Sequence, residues 1–443
     1  MYNKEFQKIF EYAKGKADET EILLSVGTSF SVKINEQNVE SFNYADSKGI
    51  GVRVIVKGKV GYAYTENFDE DTLNIIVDNA IENAKYSESD DVVFLDKYPE
   101  NEQKPNVFSE ELAKVDVKEK IRLAKALEKY AKAADKRIFN VPYAVYGDGK
   151  NFSRLANSKG LDRSDTQNYA YAYVGTLAQE NNDKRMGMEF LITRDFNKFD
   201  AKKLAESSAK KSTDLLNGQP AVSGKHPVVF NNEMMATMLS TFSSVFNAKL
   251  VQEGKSLLKG KMGERVANDC VTIVDDDLRA DGFSSSAFDS EGYPTEKTIL
   301  VENGILKSYL HNTITARKDK VQSTGNGARG YKGTLGISTS NFLIEPGKHN
   351  VEELISKHDK IIEIVSLQGM HSGANPISGD FSLGAQGFLW ENGIRKHSIK
   401  PFTVSGNFLQ MMIDVEAIAD NFKFDMSSNG ASAVLVKELN ISG

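Results

Sequence analysis

The chain has 443 residues, of which 40% are hydrophobic and 26% are charged, as in an ordinary soluble globular protein. A chain of this length exceeds one ordinary hydrophobic core, so we expect two or three domains. Lys and Arg total 55 against 61 Asp and Glu, which gives a formal charge of −6. This mild acidity argues against a nucleic-acid-binding protein, because such proteins carry a clustered basic face.

The same composition bears on where the protein works. Cys270 is the only cysteine, so no intrachain disulfide can form, and a reducing compartment fits. The N-terminal segment is amphipathic and charged throughout, unlike a signal peptide, and no apolar run is long enough to cross a bilayer. We therefore expect a cytoplasmic protein with neither a nucleic-acid nor a membrane partner.

The first half of the chain combines strands with helices. Runs of alternating apolar residues predict strands over Glu21–Val26, Ser29–Asn35, Val39–Tyr44, Ile50–Val56 and Lys59–Thr65. A Lys57-Gly58 pair supplies the tight turn between the last two strands. Apolar stripes at helical spacing predict an amphipathic helix at residues 2–13 and three long helices. The long helices cover Asp71–Lys85, Val117–Asp135 and Asp200–Leu216.

A short sequence echo lies within this half. Residues 45–50 read Ala-Asp-Ser-Lys-Gly-Ile, and residues 156–161 read Ala-Asn-Ser-Lys-Gly-Leu. Asx-Ser-Lys-Gly favours a turn, because the Asx side chain bonds its own backbone and Gly adopts positive φ. The repeated segment predicts a duplicated strand–turn–strand unit.

The second half reads as strand-rich. A linker with breaker residues at 217–227 predicts a domain boundary, and Asn303-Gly304 and Asn392-Gly393 are strong hairpin signals. The clearest helix candidate is Glu233–Asn247, whose Met and Phe residues are predicted to face the core. The predicted fold is therefore α+β in two domains. Residues 1–217 form a mixed antiparallel sheet with helices, and residues 218–443 form a mainly β domain, curved or barrel-like.

Catalytic motifs are sparse. The six histidines are His226, His311, His349, His358, His371 and His397, and no HExxH pair is among them. The acidic run Asp275–Asp277, followed by Asp281 and Asp289, does not have EF-hand spacing and is predicted to be a solvated turn. His371, Ser372 and Asp380 could form a hydrolytic constellation, but their order and spacing match no known triad.

Several segments together resemble the TldD/PmbA family, the so-called modulators of DNA gyrase, which are peptidases. The first is Gly369–Gly393, which packs six glycines, two acidic residues and three aromatic residues together. Residues 263–277, 284–318 and 323–330 also resemble family blocks, and all four occur in the family's order. The resemblance extends over nearly the whole chain and is strongest from Gly263 onward.

The resemblance implies a particular branch of this family. In the catalytic, TldD-like branch, HExxxH on a helix of the C-terminal domain holds a metal ion, and a cysteine near the C-terminus belongs to the same site. Here Ser240, Thr241 and Val245 stand at the His, Glu and His positions, and the cysteine position falls near Gly430. These residues cannot hold zinc, so we expect no metal and no catalytic residue in this chain.

The chain therefore resembles the PmbA/TldE-like branch. That branch implies a partner: a zinc-containing, TldD-like catalytic subunit in a heterodimer or larger complex that cleaves peptides or unfolded chains. Three alternatives stay open, namely a homodimer, a non-enzymatic scaffold or binding protein, and a metal-free hydrolase that uses His371, Ser372 or Asp380.

The glycine-rich segment supplies the candidate binding residues. A peptidase that accepts varied sequences has to grip the main chain of its substrate, and strand addition at a sheet edge does this. Glycine allows close backbone approach, although glycines also serve only to make turns. We expect this segment to line the substrate chamber or the subunit interface. The candidates are Gly369, His371, Ser372, Gly373, Asp380 and Gly384.

Overall fold

The computed structural model describes residues 2–87, 94–96 and 104–443. Its N-terminal part is one antiparallel sheet that curves as a half-barrel, with helices on one face. The strands are β1 (Glu19–Asn35), β2 (Asn38–Val56), β3 (Lys59–Thr65), β4 (Ile138–Asn157), β5 (Asp162–Glu180) and β6 (Asp183–Thr193). The helices are α1 (Asn3–Ala13), α2 (Glu70–Ala84), α3 (Glu110–Ala113), α4 (Val117–Ala134) and α5 (Ala201–Thr213).

This part consists of two similar units. Each unit is a helix, three antiparallel strands and a second helix, namely α1-β1-β2-β3-α2 and α4-β4-β5-β6-α5. The sheet order β3-β2-β1-β4-β5-β6 brings the two units together along β1 and β4. The predicted helices are confirmed, and the carboxylate of Asp200 caps α5 by accepting from the Lys203 N–H at 3.0 Å.

The predicted turn at residues 45–50 is wrong. Those residues lie inside β2, where Ser47 pairs with Gly27 of β1, so the strands predicted on either side are continuous. Only the second copy of the echo, at residues 157–161, is a turn, with Gly160 at φ +92°. The two units are duplicated in structure, but the first copy of the echo lies within β2, whereas the second lies at the turn between β4 and β5.

The C-terminal part contains a barrel and a second sheet. Its strands are β7 (Gly224–Phe230), β8 (Ile273–Asp276), β9 (Lys297–Glu302), β10 (Ile305–Leu306), β11 (Gly327–Ala328), β12 (Gly336–Ile337), β13 (Phe342–Ile344), β14 (Lys360–Gln368), β15 (Asp380–Glu391), β16 (Ile394–Asn407), β17 (Val415–Ile418), β18 (Lys423–Phe424), β19 (Asn429–Ala431) and β20 (Val434–Ser442). The helices are α6 (Asn232–Phe242), α7 (Ala248–Gln252), α8 (Thr313–Asp319), α9 (Val351–Ile355), α10 (Met370–Gly373) and α11 (Phe408–Ile413).

Five of these strands close into the barrel. The order is β16-β15-β14-β7-β20, and pairing between β16 and β20 completes it. The β7–β14 pair is parallel, and β17 extends the sheet beyond β20. The second sheet has the order β10-β9-β8-β13-β19-β18. The predicted fold class, an α+β chain with a barrel-like C-terminal part, is confirmed.

Local predictions in this part are also tested. The Asn303-Gly304 and Asn392-Gly393 turns are hairpins with positive φ at both residues, as type I′ turns require. His226 and Pro227, predicted to lie in the linker, instead belong to β7. Among the described residues, no helix combines the length and the apolar character needed to cross a bilayer.

Ion pairs connect the two parts of the chain. The Lys423 ammonium lies 2.8 Å from a carboxylate oxygen of Glu189 in β6 and 2.8 Å from one of Glu233 in α6. Lys211 of α5 contacts the same two carboxylates. Burial by itself would raise the pKa of Glu189, but the two ammonium groups outweigh it and lower this pKa to about 2. The four groups fix α6 against the N-terminal sheet.

Candidate functional site

Helix α6 carries the positions that correspond to the HExxxH motif. The helix begins after Asn231, whose side chain accepts from the Met234 N–H at 2.8 Å, and its apolar face packs into the core of the C-terminal part. This confirms the predicted burial of its Met and Phe residues. Phe242 stacks on Phe408 with ring centroids 4.4 Å apart.

None of the three motif positions has the chemistry of a zinc ligand. The Thr241 hydroxyl donates to the Thr237 carbonyl at 2.8 Å, one helical turn earlier. The α-helix ends at Phe242, so Val245 lies in a 3₁₀ turn, where it is 3% exposed and packed in the core. Ser240 adds only a hydroxyl. Two hydroxyl groups, of which that of Thr241 is already hydrogen-bonded within the helix, and the isopropyl group of Val245 do not form a ligand set for the metal that HExxxH would hold.

The rest of the described chain offers no replacement site. Across residues 2–87, 94–96 and 104–443, no three His, Cys, Asp or Glu side chains are grouped so that they could hold a metal ion. Near the expected position of the C-terminal cysteine, Gly430 is buried in β19 against the Phe422 ring. The two closest His–carboxylate contacts are separate pairs, His349 with Glu353 and His358 with Glu416.

The glycine-rich segment forms the hairpin of β14 and β15, with the short helix α10 at its tip. Gly369, just before α10, has φ +83°, a backbone conformation that favours glycine because it has no Cβ. A Cβ on Gly387 would lie 1.7 Å from the Glu363 carbonyl oxygen, and one on Gly373 would lie 2.3 Å from that of Ser382. At Gly384 the nearest atom would be 3.7 Å away, so this glycine has free space.

The polar candidates in this hairpin are exposed and are not joined to one another. Asp380 accepts from the Asn407 side-chain amide at 2.9 Å, and the Ser372 hydroxyl points at the Gly369 carbonyl at 3.5 Å. No hydrogen bond described for this segment links His371 to either residue. The arrangement that a metal-free hydrolase would need is therefore not assembled here.

This segment offers no free sheet edge to which a peptide strand could be added. From Gly384 onward, β15 pairs with β14 on one side and with β16 on the other, because the barrel is closed. The residues Asp380–Leu383 pair with β16 and are bridged to Ala374 through Phe381. The expectation that glycines of this strand form a sheet edge is wrong, although the tip of the hairpin stays exposed.

A layer of buried carboxyl groups lies elsewhere, where three of the family-like segments meet. Asp275, in β8, accepts from the Asn326 side-chain amide at 2.6 Å and from the Ser340 N–H at 2.8 Å. Asp289 accepts from the backbone N–H groups of Gly327 at 2.8 Å and Tyr293 at 2.9 Å. Both carboxyl groups are buried, and Asp277 is only 6% exposed. The prediction of a solvated turn is wrong here.

Burial shifts the protonation of this layer. It raises the pKa of Asp275 to about 6 and raises the pKa of Asp289 well above its ordinary range, with Glu291 adding repulsion. It also raises the pKa of Asp277, with Asp275 as the next cause. The Ser340 hydroxyl beside Asp277 favours its charged form, yet neither Asp277 Oδ2 nor Ser340 Oγ has a hydrogen-bond partner of acceptable geometry.

A buried ion cluster connects this layer to the N-terminal sheet. One carboxylate oxygen of Glu21 in β1 lies 3.0 Å from Arg53 and 2.6 Å from Arg329, and all three side chains are almost fully buried. Desolvation lowers the pKa of Arg329 to about 10, and Glu21 opposes this shift. Tyr331 continues the contact, because its ring covers Gly49 of β2 and its backbone lies against Gly51.

Sequence reasoning did not identify this cluster. Its partners are 308 residues apart in the case of Glu21 and Arg329, so no local pattern joins them. The sequence did carry a partial signal for the neighbouring layer of carboxyl groups, since Asp275/Asp277 and Asp289/Glu291 are each spaced by two residues. That spacing places side chains on one face of an extended segment.

Comparison with known proteins identifies the family. Family models describe residues 20–84, 110–216 and 223–443 as domain 1, the central domain and the C-terminal domain of PmbA/TldA metallopeptidases. The chain belongs to the TldD/PmbA family. The boundary predicted at residue 217 falls between the second and third matched segments, and the division into two domains stays a prediction.

Relatives match this TldD/PmbA-family chain over almost its full length. The uncharacterized protein MJ0231 of Methanocaldococcus jannaschii is 30% identical over 422 residues, which are 94% of this chain and 95% of that protein. The metalloprotease PmbA homolog of Haemophilus influenzae is 26% identical over 98% of this chain and 94% of its own length. The crystal structure of a candidate DNA gyrase modulator, TM0727 of Thermotoga maritima, has a TM-score of 0.93 at 30% identity, with both chains fully covered.

Proposed function

We propose that this chain is the PmbA/TldE-like, non-catalytic subunit of a cytoplasmic peptidase complex. Its partner is a TldD-like subunit that carries HExxxH and zinc, and together they cleave peptides or unfolded chains. The chain's membership of a family whose relatives are named metalloproteases supports the peptidase role. The side chains on α6 support the assignment of the chemistry to a partner.

The observation that carries the proposal is the state of the three motif positions. Val245 offers no lone pair and is part of the hydrophobic core, so no small rearrangement would turn it into a ligand. The Thr241 hydroxyl is bonded within its own helix, and a neutral hydroxyl does not replace a carboxylate as the base that activates water. A hydrolytic metal centre in this complex therefore has to come from another chain.

Reconstitution with a partner tests the proposal. The chain and a TldD-like protein from the same genome are purified separately and mixed, and cleavage of an unfolded protein substrate is followed. We expect cleavage by the mixture that a chelator abolishes, together with a stable complex by size-exclusion chromatography. Absence of any complex, or full cleavage by the partner alone at the same rate, would contradict the proposal and favour a scaffold or a homodimer.

The exposed tip of the β14–β15 hairpin is our candidate for contact with the partner or the substrate. His371, Ser372, Asp380 and Gly384 are all exposed there. Gly384→Val is the suitable probe, because a Cβ there meets no atom closer than 3.7 Å and the position is exposed. Gly373→Val is unsuitable, since its Cβ would strike the Ser382 backbone.

We expect Gly384→Val to fold normally and to weaken complex formation or cleavage by the mixture. His371→Ala should have an effect of the same kind and should not act through a hydrolytic step. A Gly384→Val variant that assembles and cleaves like the wild-type chain would remove the hairpin tip from the mechanism.

A further inference from the structure

A polar cleft lies between the open face of the N-terminal sheet and loops of the C-terminal part. Two adjoining cavities of about 520 and 380 Å³ form it, and both are lined by Asn151, Gln167, Ser284 and Ser286. Each volume is within the range of small-molecule and peptide pockets. This cleft is separate from α6 and from the β14–β15 hairpin.

The floor of the cleft is built from small hydrogen-bonding side chains. In β1 and β4, alternate residues face away from the helices, so Ser25, Asn151 and Ser153 share the open face. The Ser25 hydroxyl donates to the Asn151 amide oxygen at 3.0 Å, which leaves the Asn151 NH₂ group facing the cleft without a described partner. Hydroxyl and amide groups both donate and accept, as the alternating N–H and C=O groups of a peptide main chain require.

The roof repeats this chemistry. Ser284 and Ser286 line it from one loop, and Ser338 and Ser340 line it from another. The Ser284 hydroxyl donates to that of Ser428 at 2.9 Å, so the first loop is held against the segment that precedes β19. Two facing walls of this kind suit a thin, extended polar chain better than a compact ligand.

The two ends of the cleft differ. Asp277 and Asp289 line the larger cavity, which is the acidic end of the cleft, and Asp277 Oδ2 is buried without a described hydrogen-bond partner. Arg329 is the only positively charged residue among those described as lining the larger cavity; its Nη2 is bonded to Glu21, and its Nη1 is buried without a described partner, free to donate to a main-chain carbonyl. A ligand that brings a cationic group would favour the charged form of the Asp277 carboxyl and supply the partner that it lacks.

The smaller cavity has an aromatic wall, to which Tyr169 and Phe283 contribute. Tyr169 lines the smaller cavity and begins a row in which Tyr169, Tyr171 and Tyr173 stack at centroid distances of 6.5 and 6.2 Å. The Tyr171 ring lies flat over Gly147, where a Cβ would come within 2.4 Å of it. Tyr169, held in place by this row, offers flat apolar surface to a side chain of an extended segment.

We propose that this cleft binds an extended peptide segment with a cationic side chain at the acidic end, in the larger cavity. The identity of the ligand as a peptide rests on the proposed function. The cleft would then be the place where this subunit holds the substrate chain, away from the metal of its partner.

Peptide binding to the isolated chain tests this directly. The probe is a fluorescein-labelled Ala-Ser-Ala-Lys-Ala-Ser-Ala peptide, compared with the same peptide carrying Glu in place of Lys, and binding is followed by fluorescence anisotropy. We expect the Lys peptide to bind about tenfold more tightly than the Glu peptide. Asp277→Asn should reduce this preference while leaving the melting temperature near that of the wild-type chain.

Matched variants locate the site. Asn151→Trp fills the cleft, whereas Asn43→Trp adds the same side chain to the same open face of the sheet, outside the cleft. We expect the first to weaken binding of the Lys peptide by about tenfold or more and the second to leave it unchanged. A benzophenone-bearing peptide should cross-link to residues 284–290 or 325–331, which gives a readout that needs no substitution.

No saturable binding of the Lys peptide up to about 1 mM would overturn the inference. So would binding that a folded Asn151→Trp variant leaves intact, or cross-linking confined to other segments. These results are independent of the proposed function: a chain that binds peptide in the cleft but forms no complex would refute only the subunit assignment. A mixture that cleaves normally with a chain that binds nothing in the cleft would refute only this inference.

Discussion

Glu21→Gln removes the negative charge shared by two buried arginines, and we expect it to be strongly destabilising. Arg53 and Arg329 lie 3.0 and 2.6 Å from the same Glu21 oxygen, with 4% and 0% of their side chains exposed. Removing one partner of a buried ion pair costs about 3–5 kcal/mol, because the remaining charge stays desolvated. Two guanidinium groups are affected here, so we expect a loss of at least ~3 kcal/mol.

The measurement is the free energy of unfolding, obtained by urea denaturation followed by far-UV circular dichroism. Glu70→Gln is the matched control, because Glu70 pairs with Lys8 on the surface and its loss should change little. A second variant that adds Arg329→Met to Glu21→Gln should recover part of the lost stability, since an apolar side chain needs no charge partner. A loss under about 1 kcal/mol for Glu21→Gln would refute the view that this cluster holds the two parts of the chain together.

Two further predictions concern stability. The pKa of Glu189 is lowered from 4.5 to about 2 in the folded chain. Its contribution to the free energy of unfolding, on the order of 3 kcal/mol, should therefore be complete above about pH 5 and lost as the pH falls toward 2. Acid denaturation of Glu189→Gln should lack this component, and an acid-denaturation profile like that of the wild-type chain would contradict the assignment. Gly387→Ala should destabilise the barrel by about 1–3 kcal/mol or more through contact with the Glu363 carbonyl, whereas Gly384→Ala should be tolerated; equal melting temperatures for the two variants would show that the close backbone approach is not what requires glycine.

Features set by neighbouring residues could be predicted from the sequence. The Asn-Gly hairpins at 303–304 and 392–393 depend on backbone conformations that those residues favour, and the helices follow from apolar stripes and from caps such as Asp200. The turn at 45–50 failed because hydrogen bonding along β1 holds those residues extended, whatever their turn preference. Tertiary pairing overrode local preference there.

Closure of the barrel and the buried layer of charges depend on contacts between distant segments. The β16–β20 pairing that closes the barrel joins residues about forty positions apart, and nothing in either strand identifies its partner. Asp275 and Asp277 read as solvated because runs of acidic residues are usually exposed. Asp275 is buried because Asn326 and Ser340, from two other segments, bond to it, and Ser340 also lies beside Asp277. The glycines of residues 369–387 showed where backbones approach closely, but not that a closed barrel leaves them no free edge.

The central claim is that this chain does not itself carry the peptidase chemistry. The most direct test is to purify the chain alone, incubate it with zinc, dialyse it against a weak chelator, and measure both bound zinc and cleavage of an unfolded protein. We predict zinc far below one equivalent and no cleavage, because Ser240, Thr241 and Val245 supply no ligand set. About one retained zinc per chain with chelator-sensitive cleavage would contradict the account, as would chelator-insensitive cleavage that His371→Ala abolishes.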